Sequence, residues 1–160
     1  NAGVSLYGRV ADVPLEDQRR VFETNFWGVV HGSRTAVRLM RPAGGVLINI
    51  GSIAGLQPSA ARTYSYSTSK AAVHHLTRIL AKEFAPRRIT VNAFAPGPFQ
   101  SRMTAFATAS DEGASKVGAR VPLGRIGSAD DIGEDIAVDS SGNAAGTPAD
   151  PADALRAVHA

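Results

Sequence analysis

Two short apolar runs constrain this chain most: VLINI at residues 46–50 and ITVNAFA at 89–95, with a helix-length stretch between them. VLINI is an apolar run that follows glycines, ITVNAFA is ended by Pro96-Gly97, and each reads as a strand buried on both faces. Two such strands joined through a helix must run parallel, because a parallel return needs a long crossover. The class is therefore α/β, with about two parallel strands flanked by long helices. Both helices are expected on one side of the sheet, and no flanking strands are evident. The sequence reads as the middle of a larger α/β domain. Such a chain is left with bare strand edges and apolar surface, so it is expected to be poorly stable alone or to self-associate.

The helices announce themselves by punctuation. Pro14 followed by Glu16 and Asp17 opens one, and apolar residues at helical spacing carry it to about Arg41, before Pro42 and Gly44-Gly45. A second runs from about Tyr64 to Phe84 and closes at Ala85-Pro86. Residues 98–120 read as loop with a short helix, and Ser128 reads as a helix cap with acids behind it. From about residue 140 the composition turns to that of a linker, so the chain divides into a domain at 1–139 and a flexible tail at 140–160.

Composition narrows the functional classes. There is no cysteine, which excludes disulfides and thiolate metal sites and fits a reducing, cytoplasmic setting. No apolar run is long enough for a membrane helix. The net charge of +3 conceals an asymmetry: sixteen basic against seven acidic residues through Arg125, then one against seven. The arginines are scattered over expected helix surfaces without interleaved aromatics, so a nucleic-acid partner is not expected.

The chemistry concentrates in YSYSTSK, residues 64–70. Tyr66 and Lys70 are one helical turn apart and share a face, whereas Tyr64 points elsewhere. A lysine ammonium held near a phenol favours the phenolate, which suits tyrosine to general acid–base work. The chain uses lysine three times against fourteen arginines, so a lysine in the first turns of a helix, where the dipole disfavours a cation, argues for a compact ammonium with a task. The alternative is a solvated charge beside a polar loop. Ser52 follows the end of the first strand, and the C-terminal ends of strands are where open α/β sheets place ligands. Asn25 interrupts an apolar helix stripe; it is either exposed or a buried amide in need of partners. His74-His75 and His31 lack partners at metal-ligand spacing and are expected on the surface or in packing. Met103 and Phe106 suit either an apolar lid or an ordinary amphipathic turn.

In joint order and spacing, NAG at 1–3, Asn25 in ETNFWG, INIGS ending at Ser52, Tyr66-x-x-x-Lys70, NAFAPGPFQSRM at 92–103 and PLGRIGSADDI at 122–132 resemble the classical short-chain dehydrogenase/reductase family. The resemblance implies the C-terminal half of a Rossmann-like doubly wound parallel sheet. It implies an NADP or NAD cofactor, NADP being favoured, and a small carbonyl or alcohol substrate, with 3-oxoacyl-type reduction favoured. Tyr66 is then the proton donor or acceptor, Lys70 its electrostatic partner and a ligand of the nicotinamide ribose, and Ser52 the group that polarises the substrate oxygen. Asn25 supports a water in the proton relay. Asn1, Ala2 and Gly3 line the adenosine-side ribose and the cofactor channel. Pro96, Gly97, Phe99 and Ser101 pack on the nicotinamide end. Members of this family form homo-oligomers, expected here if the fold is complete.

The sequence departs from the family pattern at both ends. No G-x-x-x-G-x-G turn precedes a helix, so the usual pyrophosphate site is not found. After ADDI, the segment from Gly133 does not follow the family pattern. The expectation is an incomplete member, lacking the glycine-rich half and with a divergent C-terminus. The rival to an enzyme is a catalytically silent fragment acting as an interaction module or without function. A nucleotide-sugar epimerase, which shares Y-x-x-x-K, is disfavoured by APGPFQSRM.

Overall fold

Pro14 has no main-chain N–H to donate, and the first helix begins immediately after it. The computed structural model describes residues 3–40, 43–58, 61–128 and 131–132. Asn1, Ala2 and the expected tail at 140–160 lie outside them. Two compact units result, Asn1–Ala95 and Pro96–Ala160.

In the first unit, helix α1 (Leu15–Phe22) passes through a π-helical segment, Glu23–Trp27, into α2 (Gly28–Leu39). The expected helix to about Arg41 is thus present, but with a wide turn at its centre. Strand β1 (Gly45–Ile50) follows, then a 3-10 turn at Ile53–Gly55, helix α3 (Tyr64–Phe84), a second 3-10 turn at Ala85–Arg87, and strand β2 (Ile89–Phe94). The strands pair in parallel from Gly45 opposite Ile89 to Ile50 opposite Phe94.

The core is Val37, Phe84, Ile89 and Val91, with Met40, Leu47, Leu80 and Ala81 packed against it. Those residues place α2 and α3 on the same face of the sheet. By strand alternation the other face carries Val46, Ile48, Ile50, Thr90, Asn92 and Phe94. All six are only partly buried. Burial on both faces, expected from the apolar runs, is therefore corrected. Both long helices cover one side, and within this unit no described element covers the other.

In the second unit, the expected single short helix is two, α4 (Ala105–Thr108) and α5 (Asp111–Gly118). Ser110 caps α5 by accepting the Gly113 N–H at 3.1 Å. Phe99 forms a parallel bridge with Gly127. Asp131 accepts the Ser128 N–H at 2.6 Å, the reach-back half of a capping box, and also the Ser128 hydroxyl at 3.0 Å. It receives both ends of the Arg125 guanidinium at 2.7 and 2.8 Å. The Arg125 hydrogen bonds, joined by those from Ser128, hold its carboxyl well below the usual carboxylate range.

Candidate active site

Helix α3 carries polar side chains at 70, 74 and 77, one stripe at i, i+4 and i+7. Each is bonded to the end of β1 or the loop beyond it. The Lys70 Nζ donates to Ile50 O at 2.8 Å. The His74 ring meets Ser52, its Nε2 lying 3.0 Å from the carbonyl and 3.3 Å from the amide nitrogen. Thr77 Oγ1 accepts from Asn49 Nδ2 at 3.0 Å and donates to Val73 O at 2.9 Å. Three successive turns of α3 are thus fastened to the C-terminal end of β1.

Two glycines let the loop lie so close. A Cβ on Gly51 would fall 2.3 Å from His74 Cε1, and one on Gly55 would fall 2.6 Å from the Lys70 carbonyl carbon. Ser52, between them, is buried and extended, and its Oγ accepts the Ala54 N–H at 3.2 Å. Among the described residues the hydroxyl proton has no acceptor, so it is available to donate outward.

Lys70 is buried, and burial pushes its ammonium below the usual lysine range. Among the described residues no carboxylate lies within ion-pair distance of it. Its Nζ stands 5.8 Å from the centre of the Tyr66 ring, within cation–π range. Tyr66 is only partly buried. The Tyr64 hydroxyl, by contrast, is buried with no hydrogen-bond partner. Of the two tyrosines, the structure brings Tyr66 to the lysine.

Asn25 is buried, at 1% exposure, which settles it as a partnered amide rather than an exposed position. Its Oδ1 accepts the Val4 N–H and its Nδ2 donates to Val4 O, both at 2.9 Å. The other Nδ2 hydrogen goes to Ser69 Oγ at 3.1 Å, and Ser69 in turn donates to Tyr66 O at 2.7 Å. Asn25 thus ties the segment after Gly3 to the second turn of α3, from the middle of the π-helical segment; such wide turns recur at functional sites. Replacing Asn25 with Leu leaves Val4 and Ser69 without these partners. It is expected to cost on the order of 2–3 kcal/mol in a denaturant unfolding titration.

Sequence reasoning missed Ser69, Thr77, Asn49 and the role of His74. The last had a usable signal, since it sits one helical turn after Lys70. The pair His74-His75, expected on the surface or in packing, divides: His75 is exposed against Arg78, while His74 is buried against Ser52. Burial lowers the His74 pKa, the Ser52 main-chain bond raises it, and the Arg78 and Lys70 charges lower it further. Among the described residues there is no cluster of metal ligands, and no helix is long and apolar enough to cross a membrane.

Gly3 is exposed beside the Val4 clamp. Pro96, Gly97, Phe99 and Ser101 belong to the second unit. There the Thr104 hydroxyl donates to Phe99 O, and the Ser101 and Thr104 hydroxyls lie 3.0 Å apart. Met103 is at the edge of exposure and Phe106 is 75% exposed.

Comparison with known proteins bears on this arrangement. Residues 1–147 match the family described as enoyl-(acyl carrier protein) reductase, so the match runs past Ile132, where the motif resemblance stops. The chain is 33% identical over 149 residues to the rhamnolipids biosynthesis 3-oxoacyl-[acyl-carrier-protein] reductase of Pseudomonas aeruginosa, covering 90% of this chain and 58% of that one. It is 36% identical over 145 residues to the 3-oxoacyl-[acyl-carrier-protein] reductase FabG of Haemophilus influenzae, covering 90% and 59%. The solved structure of the Pseudomonas aeruginosa RhlG/NADP active-site complex superposes with a TM-score of 0.76 at 34% identity, over 82% of this chain and 54% of that one. The chain thus spans a little over half the length of these proteins.

Proposed function

The chain belongs to the short-chain dehydrogenase/reductase family, and we propose that it is an NAD(P)-dependent oxidoreductase of carbonyl or alcohol substrates, with a 3-oxoacyl compound favoured. One observation carries this reading: a buried ammonium, unpaired with any described carboxylate, fixed to Ile50 O and set against the Tyr66 ring. A charge held in this way stabilises a phenolate, a task that suits a compact ammonium.

Each residue then has a role. Tyr66 gives a proton to the substrate oxygen in reduction and takes it back in oxidation. Ser52 donates its free hydroxyl proton to the same oxygen and polarises it. Lys70 offsets the negative charge that forms on Tyr66. Asn25 holds Ser69, and through it the Tyr66 main chain. Its two amide hydrogens are already committed, so a relay water at Asn25 has the second lone pair of Oδ1 to use.

The donor set fits a nicotinamide dinucleotide. After Ile50 O, Lys70 has two further N–H groups, which suit the vicinal hydroxyls of a ribose. The cofactor supplies the hydride when bound. Gly3, with Asn1 and Ala2, is assigned to its adenosine-side ribose and channel, and Pro96, Gly97, Phe99 and Ser101 to its nicotinamide end. NADP is favoured over NAD; the RhlG complex is one with NADP. We assign the catalytic domain to residues 1–139 of a cytoplasmic protein that forms a homo-oligomer if the fold is complete.

The open face of the sheet favours a second reading, a silent member that serves as an interaction module. Binding separates the two. Trp27, 44% exposed in the π-helical segment, is the only tryptophan in the chain and reports on that segment. Titration with NADPH is expected to change its fluorescence saturably, and NADH to do so more weakly. No saturable change with either cofactor would favour the silent reading.

A further inference from the structure

One ring nitrogen meets the Ser52 main chain twice: His74 Nε2 lies 3.0 Å from Ser52 O and 3.3 Å from Ser52 N. We infer that His74 is the positioning residue for Ser52, its ring fixing the Ser52 main chain against α3 and so setting where the polarising hydroxyl stands. The inference rests on the oxidoreductase reading and adds to it a residue outside the Tyr66, Lys70, Ser52 and Asn25 set.

Ser52 needs such a support. The last main-chain bond to β2 before it is Gly51 N–H to Phe94 O, at 2.7 Å. Beyond that, and apart from His74, the described residues give Ser52 only the local bonds of its own 3-10 turn, Ala54 N–H to its Oγ and Gly55 N–H to its carbonyl at 2.9 Å. These shape the turn but do not fasten it to anything else. The imidazole takes the place of the missing rung, and the fit is close on both sides. A Cβ on Gly51 would fall 2.3 Å from His74 Cε1, and one on Gly55 would fall 3.0 Å from His74 Cδ2. The ring is therefore seated between the two glycines that flank the serine.

The contact depends on the charge state of the ring. A neutral ring protonated on Nε2 donates to Ser52 O, and the other neutral tautomer accepts from Ser52 N. The imidazolium can only donate, and it adds a positive charge near Lys70 and Arg78, the two charged groups that act on this ring. Gly51–Gly55, packed against it, contributes no titratable side chain. Acid therefore removes acceptance from Ser52 N and keeps donation to Ser52 O, now from a charged ring, so the Ser52 amide senses the titration.

The test follows the ring and the serine together in nitrogen-15-labelled protein over a pH series. The Ser52 amide and the His74 ring nitrogens are expected to shift with one shared midpoint, below the ordinary histidine value of about 6.5. In steady-state kinetics, His74→Leu should lower kcat about tenfold with the KM for NADPH little changed. His74→Gln, whose amide can donate from a similar place, should recover most of that loss. Gly51→Ala, which displaces the ring while leaving His74 in the sequence, should reproduce the His74→Leu loss and serves if the leucine variant fails to fold. A Ser52 amide that stays fixed while His74 titrates overturns the inference, as do equal losses in the leucine and glutamine variants. Should the unaltered protein turn over no carbonyl or alcohol, the oxidoreductase reading falls. The shared midpoint still decides whether His74 holds Ser52.

Discussion

Tyr66→Phe is expected to reduce carbonyl turnover by roughly 10²–10⁴-fold, the usual contribution of a positioned general acid. The substitution removes one oxygen from a partly buried ring and leaves the ring's contact with Lys70 in place. The fold should therefore be indifferent to it, and the loss should fall on kcat rather than on cofactor affinity. Tyr64→Phe is the matched control. The Tyr64 hydroxyl is buried without a partner, so its removal should leave activity alone and hold or raise the melting temperature. Both variants are compared by NADPH consumption with a 3-oxoacyl thioester and by thermal melts. If Tyr64→Phe loses the activity and Tyr66→Phe keeps it, the assignment of the acid is wrong.

The elements were legible where local pattern decides structure. Helix α3 runs from Tyr64 to Phe84 as its spacing predicts, and the strands fall within a residue of the apolar runs, because proline and glycine mark their ends. What the pattern could not reveal is tertiary. The π-helical segment holds an ordinary-looking helical sequence, ETNFW, and Asn25 within it finds its partners at Val4 and Ser69, far away in the chain. Apolar runs predict doubly buried strands only where both faces find cover. Here the residues that cover them, such as Val37 and Phe84, all lie on one side.

The same division applies to the site. Tyr66 and Lys70 were legible because their four-residue spacing is one helical turn. Ser69 was hidden in a run of hydroxyl residues, where nothing in the sequence distinguishes the one that bonds Tyr66 O from its neighbours. His74 was hidden for a different reason. Its partner is main chain, and a backbone acceptor has no signature in sequence.

Lys70→Met should separate catalysis from stability. Turnover is expected to fall by roughly 10²-fold or more, since a preorganised charge that stabilises a developing anion is worth that much. Stability should respond differently, because the ammonium is held in a place that disfavours its charge. Burial lowers the Lys70 pKa from its unfolded value of about 10.5. The unfolded chain therefore binds this proton more tightly than the folded one. The resulting penalty on folding is fully present below the folded pKa and disappears as pH rises to the unfolded value. Methionine fills a similar apolar volume without the charge, at the loss of the bond to Ile50 O. Denaturant unfolding of the two proteins at neutral and alkaline pH should thus show the lysine protein gaining stability relative to the methionine variant as pH approaches about 10.5. A lysine kept for structure would behave otherwise. It would give a variant whose activity is lost only in proportion to the unfolded fraction. The proposed site requires inactivity in a variant that is still folded at neutral pH.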